Sequence, residues 1–399
     1  MNPNPQGKEF PLFMKRVIAL FLSLMMLLSL AACVPGVEEQ STDAVPFTVP
    51  MDDASYVYQV PQDATPLPGG AIVALAAESS ALESGADALL WKGVQTFAST
   101  FGYTAQSYTY GDGGADTAED ALREAAESGA ALVVCRGEEM ALALYQIQGN
   151  YPGVHYLLFD DEPHNEDYTA YTTDASVHCV LFQEEQAGYL AGYASVMEGY
   201  TTLGFVGTEE EPPVVRYFTG FLQGAEQAAE QQGEEVSIRV WYTGNLSDGD
   251  LVTSRMVEWF DNGTGVILAN GGDLVQRTLD AANQTGGRVF ATDWDQNALG
   301  ERVLGSAVKC YNAAVQRQLY TFFSGNSTWG QNAAGQTEKI GYTDGSVTLA
   351  GATWSFGSFS QRAYEQLYEE LRNSELKVEA YADMDTLPDT PAVTVEVQN

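Results

Sequence analysis

Short apolar segments alternate with longer amphipathic segments along most of the chain. Apolar runs, or strict alternation of apolar and polar positions, over about 4–8 residues are typical of strands, whereas apolar positions at helical spacing indicate helices. In the first part of the chain the predicted strands are residues 71–76, 103–110, 131–135, 154–159 and 178–182. Helices are predicted at 88–101 and 117–128, and Gly129 suits the end of the second one. This order predicts a parallel sheet with helices on its faces.

The same alternation of predicted strands and helices begins again at Gln183. The strands predicted for this second part are residues 203–206, 236–242, 266–269 and 288–292, and the helices are 184–197, 214–231, 251–260 and 273–283. Two successive units of similar size predict an α/β protein with two doubly wound lobes that form a clamshell. Residues 305–309 are predicted to be a connecting strand, and 311–323 a helix that returns to the first lobe. A hairpin is predicted at 339–350, with its turn at residues 343–345.

The N-terminal region carries a secretion signal. Lys15 and Arg16 precede an apolar run at residues 17–30, and the sequence Leu-Ala-Ala-Cys ends at Cys33. A basic start, an apolar run of this length and small residues after it are typical of a cleaved signal peptide. The Leu-Ala-Ala-Cys sequence resembles a bacterial lipobox, in which the cysteine is lipidated and becomes the first mature residue. The alternatives are an ordinary signal peptide or an anchor helix with a chance cysteine, and Met14 is an alternative start of translation.

The domain organisation follows from these patterns. Prolines recur among acidic and small residues between positions 34 and 68, which predicts an extended stalk, with a possible short strand at 56–60. The full division is a lipoprotein signal peptide at 1–32, a lipidated acidic stalk at 33–68, lobe 1 at 69–182 with 310–340 returning to it, lobe 2 at 183–309 with part of 341–373, and a loose acidic tail at 374–399.

Composition restricts the partners of the protein. The 399 residues include 18 Lys and Arg against 54 Asp and Glu, which gives a formal net charge of −36. Such a surface repels phosphate groups, so nucleic acid is excluded as a partner and lipid chains on Cys33 must provide the membrane attachment. Cys135, Cys179 and Cys310 have apolar neighbours and are predicted to be buried free thiols. The histidines lack the spacing of a zinc site, and no cofactor or metal is predicted.

The residues directly after the predicted strands are candidates for a ligand site, because doubly wound sheets bind ligands beyond the carboxyl ends of their strands. One strand runs straight into Asp293 and Trp294 in the sequence Val-Phe-Ala-Thr-Asp-Trp-Asp-Gln. Other strand ends read Cys-Arg-Gly at 135–137 and Phe-Asp-Asp at 159–161. The acidic run at 160–167 is predicted to be a solvated loop. A polar loop at the edge of the sheet is the alternative explanation for Asp293.

Several segments, in order, resemble the basic membrane protein (BMP) family of purine-nucleoside-receptor-like lipoproteins. They are FQEEQAGYLAG at 182–192, GFVG at 204–207, RYFTGF at 216–221, ANGG at 269–272, TDWDQ at 292–296 and SAVK at 306–309. The resemblance covers roughly residues 70–350, and the lipobox also fits it. It implies a type I clamshell, similar to periplasmic binding proteins, that delivers nucleosides to an ABC permease.

The resemblance also implies roles for individual residues. Asp293 matches the ribose-binding aspartate of the family, and Lys309 matches its lysine in the cleft. Gly271 and Gly272 match glycines at which the backbone approaches the ligand. Phe218 lies near the second aromatic wall of the family's site. These residues are therefore expected to line the ligand site.

The first motif of the family is altered in this chain. The family has Asp-x-Ser-Phe-Asn before Trp-x-Gly, whereas here Trp91 is preceded by Glu-Ser-Gly-Ala-Asp. Ala86 replaces the stacking Phe, and Asp87 replaces the Asn. The sequence therefore leaves undecided whether the protein recognises a base. The candidates for an aromatic ring in place of the stacking Phe are Trp294, Trp91 and Phe218.

The chemistry of the candidates agrees with a hydroxylated ligand. A carboxylate accepts hydrogen bonds from two vicinal hydroxyls and an ammonium group donates to them, so Asp293 and Lys309 suit a ribose, while an aromatic face suits a base. Each candidate also has a purely structural explanation. Asp293 can cap a turn, Lys309 can be solvated at a hinge, and the glycine pair can form a plain turn. Trp294 and Trp91 can belong to the core, and Asp87 can lie in solvent.

No signature of an enzyme is present: there is no Walker-type phosphate loop, nucleophile elbow or His-Glu-x-x-His motif. We therefore predict no catalytic activity. The sequence predicts a lipid-anchored, extracytoplasmic solute-binding component of an ABC importer on a bacterial membrane, which binds a nucleoside or similar small polar ligand between its lobes. Its partners would be the permease and ATPase subunits. The alternative is a sugar- or signal-binding receptor of the same fold that is not coupled to transport, and an envelope hydrolase is a more distant one.

Overall fold

The computed structural model describes residues 53–62, 64–244, 248–352, 354–373 and 376–398. Residues 49–399 form one compact unit, and a second unit, residues 1–48, lies outside the described ranges. The predicted signal peptide and the predicted lipidation site at Cys33 therefore also lie outside them. The fold below is that of the first of these units.

Thirteen strands and nine helices are found in the described ranges. The strands are β1 (Ile72–Glu78), β2 (Thr104–Tyr110), β3 (Leu132–Arg136), β4 (His155–Phe159), β5 (Val177–Phe182), β6 (Thr202–Gly207), β7 (Val236–Tyr242), β8 (Val266–Asn270), β9 (Arg288–Asp293), β10 (Val303–Lys309), β11 (Gln336–Ile340), β12 (Val347–Leu349) and β13 (Val393–Val397). The helices are α1 (Ala86–Phe101), α2 (Ala118–Glu127), α3 (Glu138–Ile147), α4 (Glu184–Met197), α5 (Pro212–Gln232), α6 (Gly249–Asp261), α7 (Leu274–Thr285), α8 (Tyr311–Ser324) and α9 (Gln361–Arg372).

The strands form two sheets. The first has six parallel strands in the order β11-β5-β4-β3-β1-β2. The second has seven strands in the order β12-β10-β9-β8-β6-β7-β13, and all its neighbours are parallel except β12, which runs antiparallel to β10. The inner strands β3, β4, β8 and β9 are almost wholly buried, because helices cover both faces, and this burial explains their continuous apolar sequences.

The chain crosses from one sheet to the other three times. It crosses between β5 and α4, between β10 and α8, and between β11 and β12. All three crossings lie at the carboxyl ends of strands, so β5, β10 and β11 end where the two sheets face each other. The predicted fold class, two doubly wound units of the periplasmic binding protein type, is confirmed by this topology.

Two predictions for the C-terminal part are wrong. Residues 339–350 do not form a hairpin, because β11 pairs with β5 in the first sheet and β12 pairs with β10 in the second. The predicted loose tail at 374–399 contains β13, which extends the second sheet by pairing with β7. The alternating Val-Thr-Val-Glu-Val sequence of β13 suits an edge strand with one covered face.

The predicted stalk is also only partly correct. Asp53 lies in a short 3₁₀ turn and is buried, with 7% of its surface exposed. Its carboxylate accepts hydrogen bonds from the backbone N–H groups of Asn312 and Ala313, each 2.9 Å long, and so caps the first turn of α8. Farther along, the Tyr58 ring stacks on Tyr320 with centroids 4.8 Å apart. The described part of the stalk, residues 53–62 and 64–68, contains no strand.

Helices α4 and α5 pack with their backbones in close approach. An added Cβ at Gly188 or Gly192 of α4 would lie 2.0–2.1 Å from carbonyl oxygens of α5. An added Cβ at Gly220 or Gly224 of α5 would lie 2.0 Å from carbonyl oxygens of α4. Glycine is therefore required on both helices, and this close packing brings the first turns of α4 and α5 together near the junction of the sheets.

The remaining observations concern the cysteines, membrane spans and metal ligands. Cys135 and Cys179 are buried free thiols, as predicted, and Cys310 is buried as well. Within the described ranges, every helix falls short of the length or the hydropathy that a membrane span needs. The same ranges contain no group of three or more His, Cys, Asp or Glu side chains placed to hold a metal ion.

Candidate functional site

A cavity of about 700 Å³ lies where the carboxyl ends of the strands of the two sheets face each other. This volume falls in the range of about 300–1,000 Å³ that is usual for small-molecule sites. Its lining comes from both sheets and their following loops: Ala86, Arg136, Gly137, Glu138, Asp160, Asp161, Glu162, Tyr168, Tyr171, Leu181, Glu184, Glu211, Pro212, Pro213, Arg216, Asp293, Trp294, Lys309 and Tyr311.

Lys309 is the centre of the polar floor of this cavity. It is the last residue of β10, and only 6% of its surface is exposed. Its Nζ atom lies 3.1 Å from Glu184 Oε1, 3.4 Å from Asp160 Oδ1 and 3.5 Å from Asp293 Oδ1. Burial alone would lower the pKa of Lys309, but the three carboxylates raise it well above its usual range. The lysine therefore stays charged and joins the ends of both sheets.

Two aspartates occupy equivalent positions at the floor, one in each sheet. Asp160 directly follows β4, Asp293 ends β9, and both have a left-handed backbone, with φ of 64° and 69°. Tyr311 donates its hydroxyl to Asp160 over 2.6 Å, and Tyr217 donates to Asp293 over 3.1 Å. Asparagine and aspartate tolerate the left-handed region better than other residues with side chains, so the conformation turns each carboxylate into the cavity at modest cost.

The charge of Asp160 is stabilised by its neighbours. Burial would raise its pKa, but Lys309 and Arg136, helped by the hydrogen bond from Tyr311, more than offset this effect and lower the pKa of Asp160 below its usual value. Arg136 also makes a bidentate pair with Asp87, with nitrogen–oxygen distances of 3.0 and 2.9 Å. The floor is thus a connected network in which every cation faces at least one carboxylate.

On the side of the second sheet, Arg216 of α5 contacts Glu184 of α4 over 2.8 Å. Glu184 is the first residue of α4 and Arg216 the fifth of α5, near the part of the two helices that the glycine contacts hold together. Glu184 therefore lies between Arg216 and Lys309, and its buried carboxylate is paired on both sides. The close packing of α4 and α5 positions this part of the cavity wall.

Three of the eight residues to which a role in ligand binding was assigned individually line the cavity: Asp293, Trp294 and Lys309. The Trp294 indole lies against Gly85, 3.6 Å from the position that a Cβ would take there. Ala86 also lines the cavity, as the first residue of α1. One aromatic surface is therefore available on the side of the second sheet, next to a small residue on the side of the first.

The other predicted site residues do not line the cavity. Phe218 is fully buried in the core, where it packs against Phe205 with ring centroids 5.2 Å apart. Asp87 is held behind the cavity wall by Arg136. Trp91 lies on the part of α1 beyond the cavity, and Gly271 and Gly272 lie at the end of β8, close to Thr208. Both glycines have positive φ, of 96° and 50°, which is the requirement of a turn.

The sequence interpretation missed several residues of the floor. The run at 160–167 is not a solvated loop as a whole, because the Asp160 side chain is only 12% exposed and His164 is fully buried. Arg136 and Asp160 stand at strand ends, so the topological argument pointed to their location but not to their pairing. Glu184 and Tyr311 start helices directly after a crossing, and the sequence carried no separate signal for them.

Comparisons with known structures support the fold. A solute-binding protein of an ABC transporter system from Aeropyrum pernix is 18% identical, with a TM-score of 0.59 over 79% of this chain and 95% of that one. A solute-binding protein from Conexibacter woesei is 18% identical, with a TM-score of 0.61 over 79% of this chain and all of the other. A transcriptional activator of the comK gene from Bacillus halodurans is 18% identical, with a TM-score of 0.59 over 80% of this chain and all of the other.

Comparison at the level of sequence families is more specific. None of the curated proteins compared with the chain matches it. The family model described as ABC transporter substrate-binding protein PnrA-like, Bmp, matches residues 72–380. This match covers most of the chain, including both sheets up to β12 and every residue that lines the cavity. The chain therefore belongs to the Bmp family of PnrA-like ABC transporter substrate-binding proteins.

Proposed function

We propose that this substrate-binding protein captures a nucleoside or a similar small hydroxylated molecule in the cavity between its two sheets, and presents it to an ABC permease with its ATPase. The family accounts for the general role, which is extracytoplasmic capture of a small molecule for a transporter. The observation that carries the finer proposal is the Asp160–Lys309–Asp293 cluster at the floor of a cavity of about 700 Å³.

The cluster is suited to vicinal hydroxyls. Asp293 keeps one oxygen, Oδ2, without a contact to Lys309 or Tyr217, since both reach Oδ1. That oxygen can accept hydrogen bonds from a ligand, and bonds to an ionised carboxylate are among the stronger ones in proteins. Lys309 has three N–H donors and faces three carboxylates, so a ligand oxygen would take one donor in place of a carboxylate while the remaining carboxylates keep the lysine charged. Ribose and hexose rings both present neighbouring hydroxyls of this kind.

The aromatic surfaces are those of Trp294 and of Tyr168 and Tyr171, which line the cavity from opposite sheets. A flat ring bound between them would gain on the order of 1–3 kcal/mol from stacking. The alternative, a sugar- or signal-binding receptor not coupled to transport, gains support from Ala86 and the buried Phe218, because neither provides the ring that the family resemblance implies for a base. A sugar needs only one aromatic face, which Trp294 can provide.

We infer that the two sheets, each with its helices, are lobes that move about the three crossings. Lobe 1 would comprise residues 69–182 and 310–340, and lobe 2 residues 183–309 with part of 341–373. Lys309 stands at one crossing and contacts carboxylates of both sheets, so ligand binding at this residue is placed to affect the closed arrangement. Docking of the closed form on the permease would then report the presence of ligand.

Attachment to the membrane is proposed to occur through acyl chains on Cys33. The Leu-Ala-Ala-Cys sequence after an apolar run is the basis of this proposal. Cells should incorporate labelled palmitate into the unchanged protein and should fail to incorporate it into a Cys33→Ala variant. Absence of label from the unchanged protein, or equal labelling of the variant, would contradict the proposed lipid anchor.

The ligand class is tested by thermal unfolding with adenosine, uridine, free bases, glucose and amino acids. A molecule that binds only the folded state raises the melting temperature by mass action. We expect a shift with at least one nucleoside, and we expect Asp293→Ala to abolish it. Asp112→Ala, at an exposed position outside the cavity, is the control and should keep the shift. A response to glucose alone would support the receptor alternative, and an unchanged shift in Asp293→Ala would place the ligand elsewhere.

A further inference from the structure

The cavity carries more negative than positive side chains. Seven carboxylates line it, together with Arg136, Arg216 and Lys309. Each of the three cations already contacts a carboxylate within 3.4 Å, so its charge is offset within the chain. Among the described residues, four of the lining carboxylates make no salt bridge to lysine or arginine: Glu138, Asp161, Glu162 and Glu211. We call these four residues the acidic mouth.

The acidic mouth brings like charges from the two sheets towards each other. Glu138 and Asp161 follow β3 and β4 of the first sheet, whereas Glu211 precedes α5 of the second. Burial, hydrogen bonding to Glu209, and the charges of Glu138 and Asp161 all raise the pKa of Glu211. Like charges on the two sides of the cavity repel each other when all these groups are ionised.

Two tyrosine rings stand beside these carboxylates. Tyr168 and Tyr171 line the cavity and keep 45% and 53% of their surfaces exposed. The Tyr168 ring is stacked on the buried His164, with centroids 4.2 Å apart, and its hydroxyl donates to Glu138 over 2.5 Å. Aromatic rings next to carboxylates form a favourable environment for an ammonium group, which interacts with the ring face and with the negative charges.

The helix N-termini at the cavity would by themselves favour an anionic ligand, because helix N-termini favour negative charge. Five helices begin there: α1, α3, α4, α5 and α8. The chain provides those negative charges itself. Asp87 lies in the first turn of α1, Glu138 in that of α3 and Glu184 in that of α4, while Glu211 is the N-cap of α5. Asp53 caps α8. The positive end of each of these five helices therefore already lies near a carboxylate of the chain, although among them only α8 has a side-chain cap of this kind.

We propose that the cavity selects a ligand that carries a positive charge, such as an amine on a hydroxylated ring, and rejects phosphorylated ligands. The cationic group lies at the acidic mouth against Tyr168 and Tyr171, while the hydroxyls reach the Lys309 floor. The existence of the site rests on the cavity and on the family, and the carboxylates decide only the charge of its ligand. The inference rests on the proposed function, because it concerns the same cavity.

A cation at this position also has a consequence for closure. Between Glu211 on one side and Glu138 and Asp161 on the other, it replaces repulsion across the cavity by attraction to both sides. The closed arrangement is then more favourable with a cationic ligand than with a neutral one. A phosphorylated ligand adds charge of the same sign as the acidic mouth and opposes closure.

The test uses two matched series of probes measured by calorimetry. One series is adenosine, 5′-amino-5′-deoxyadenosine and adenosine 5′-monophosphate, and the other is glucose, glucosamine and glucose 6-phosphate. In each series that binds, the amine should bind about five- to tenfold tighter than the neutral member at low salt, and the phosphate more weakly than it. The preference should shrink at high salt, because the Debye length falls from about 10 Å at 0.1 M to about 3 Å at 1 M.

Variants show which carboxylates cause the preference for the amine over the neutral probe. Glu211→Gln and Glu138→Gln should each reduce this preference, and the double variant should remove it. Glu235→Gln, at an exposed position outside the cavity, should leave the preference unchanged. If the neutral member of a series binds as tightly as the amine, the charge inference is wrong while the proposed function stands. If only the glucose series binds, with the amine preferred, the nucleoside proposal is wrong while the charge inference stands. Binding of no probe would contradict both.

Discussion

Replacement of Lys309 by methionine tests whether the floor of the cavity is a buried charge network. The substitution keeps the length of the side chain but removes the ammonium group that contacts Asp160, Glu184 and Asp293 over 3.1–3.5 Å. The lysine side chain is only 7% exposed, so water cannot take over these contacts without a rearrangement. The three carboxylates would then repel one another in a region of low solvent access.

The magnitude follows from the contacts that remain. Removal of one partner from a buried ion pair typically costs about 3–5 kcal/mol. Here Asp160 keeps Arg136 and Tyr311, and Glu184 keeps Arg216, so the loss should lie at the lower end, about 3 kcal/mol. With an m value of about 3 kcal/mol/M for urea, the unfolding midpoint should fall by about 1 M.

The assay is urea unfolding followed by circular dichroism and by tryptophan fluorescence. Lys339→Met is the matched control, because Lys339 is exposed on the edge strand β11, and it should change the free energy of unfolding by less than about 0.5 kcal/mol. The Lys309→Met/Asp160→Asn double variant should lose less stability than the sum of the single losses, since the two residues are in contact. If Lys309→Met were as stable as the unchanged protein, the floor would be solvated and our description of it would be refuted.

The same variant should change the response to acid. Because the folded-state pKa of Asp160 is lowered, its ionised form stabilises the fold above about pH 4, its unfolded value, and this contribution is lost as pH falls through the folded value. Without Lys309, the pKa of Asp160 should rise and the contribution should shrink. The difference in stability between the two proteins should therefore be largest near neutral pH and should decrease on acidification.

Three further predictions concern other parts of the molecule. Gly220→Ala should destabilise the protein by on the order of 3 kcal/mol in urea unfolding, because its Cβ would meet backbone atoms 2.0 Å away, whereas Gly149→Ala, with open space around it, should not. Asp53→Ala should cost about 1–2 kcal/mol and Asp53→Asn less, because Asn keeps one of the two capping oxygens of α8; an Asp53→Ala variant as stable as the unchanged protein would show that the cap is unimportant. Since the pKa of Glu211 is raised, the stability linked to its protonated form is present below about pH 4.3 and is lost as pH rises through the folded value. Calorimetric affinity for the amine probe should therefore increase as pH rises through that value, and a flat profile in the unchanged protein would exclude Glu211 as a contact.

Much of the fold could be predicted because the inner strands are buried on both faces. Continuous apolar runs such as β4 and β8 are typical of this burial, and the alternation with helices implied parallel pairing. The errors fall where pairing depends on a distant partner. β12 has three residues and pairs with β10, and β13 pairs with β7 from far along the chain, so local patterns could not identify them.

The sequence predicted where the site lies but only some of the residues that line it. Asp293 and Lys309 stand at strand ends and matched a known pattern, and both line the cavity. Phe218 matched the same pattern but is buried, because the face of α5 on which it lies packs on the second sheet and contacts Phe205. The pairing of Arg136 with Asp87 joins the end of β3 to the start of α1, a contact that depends on how neighbouring loops meet in three dimensions.

A crystal structure of the protein with the probe that gives the largest thermal shift tests directly whether ligand binds at the Asp293 and Lys309 floor. We expect the probe between the two sheets, with hydroxyl oxygens about 2.7–3.2 Å from Asp293 and Lys309. A probe bound outside this cavity, or inside it without contact to either residue, would show that the binding site is misplaced.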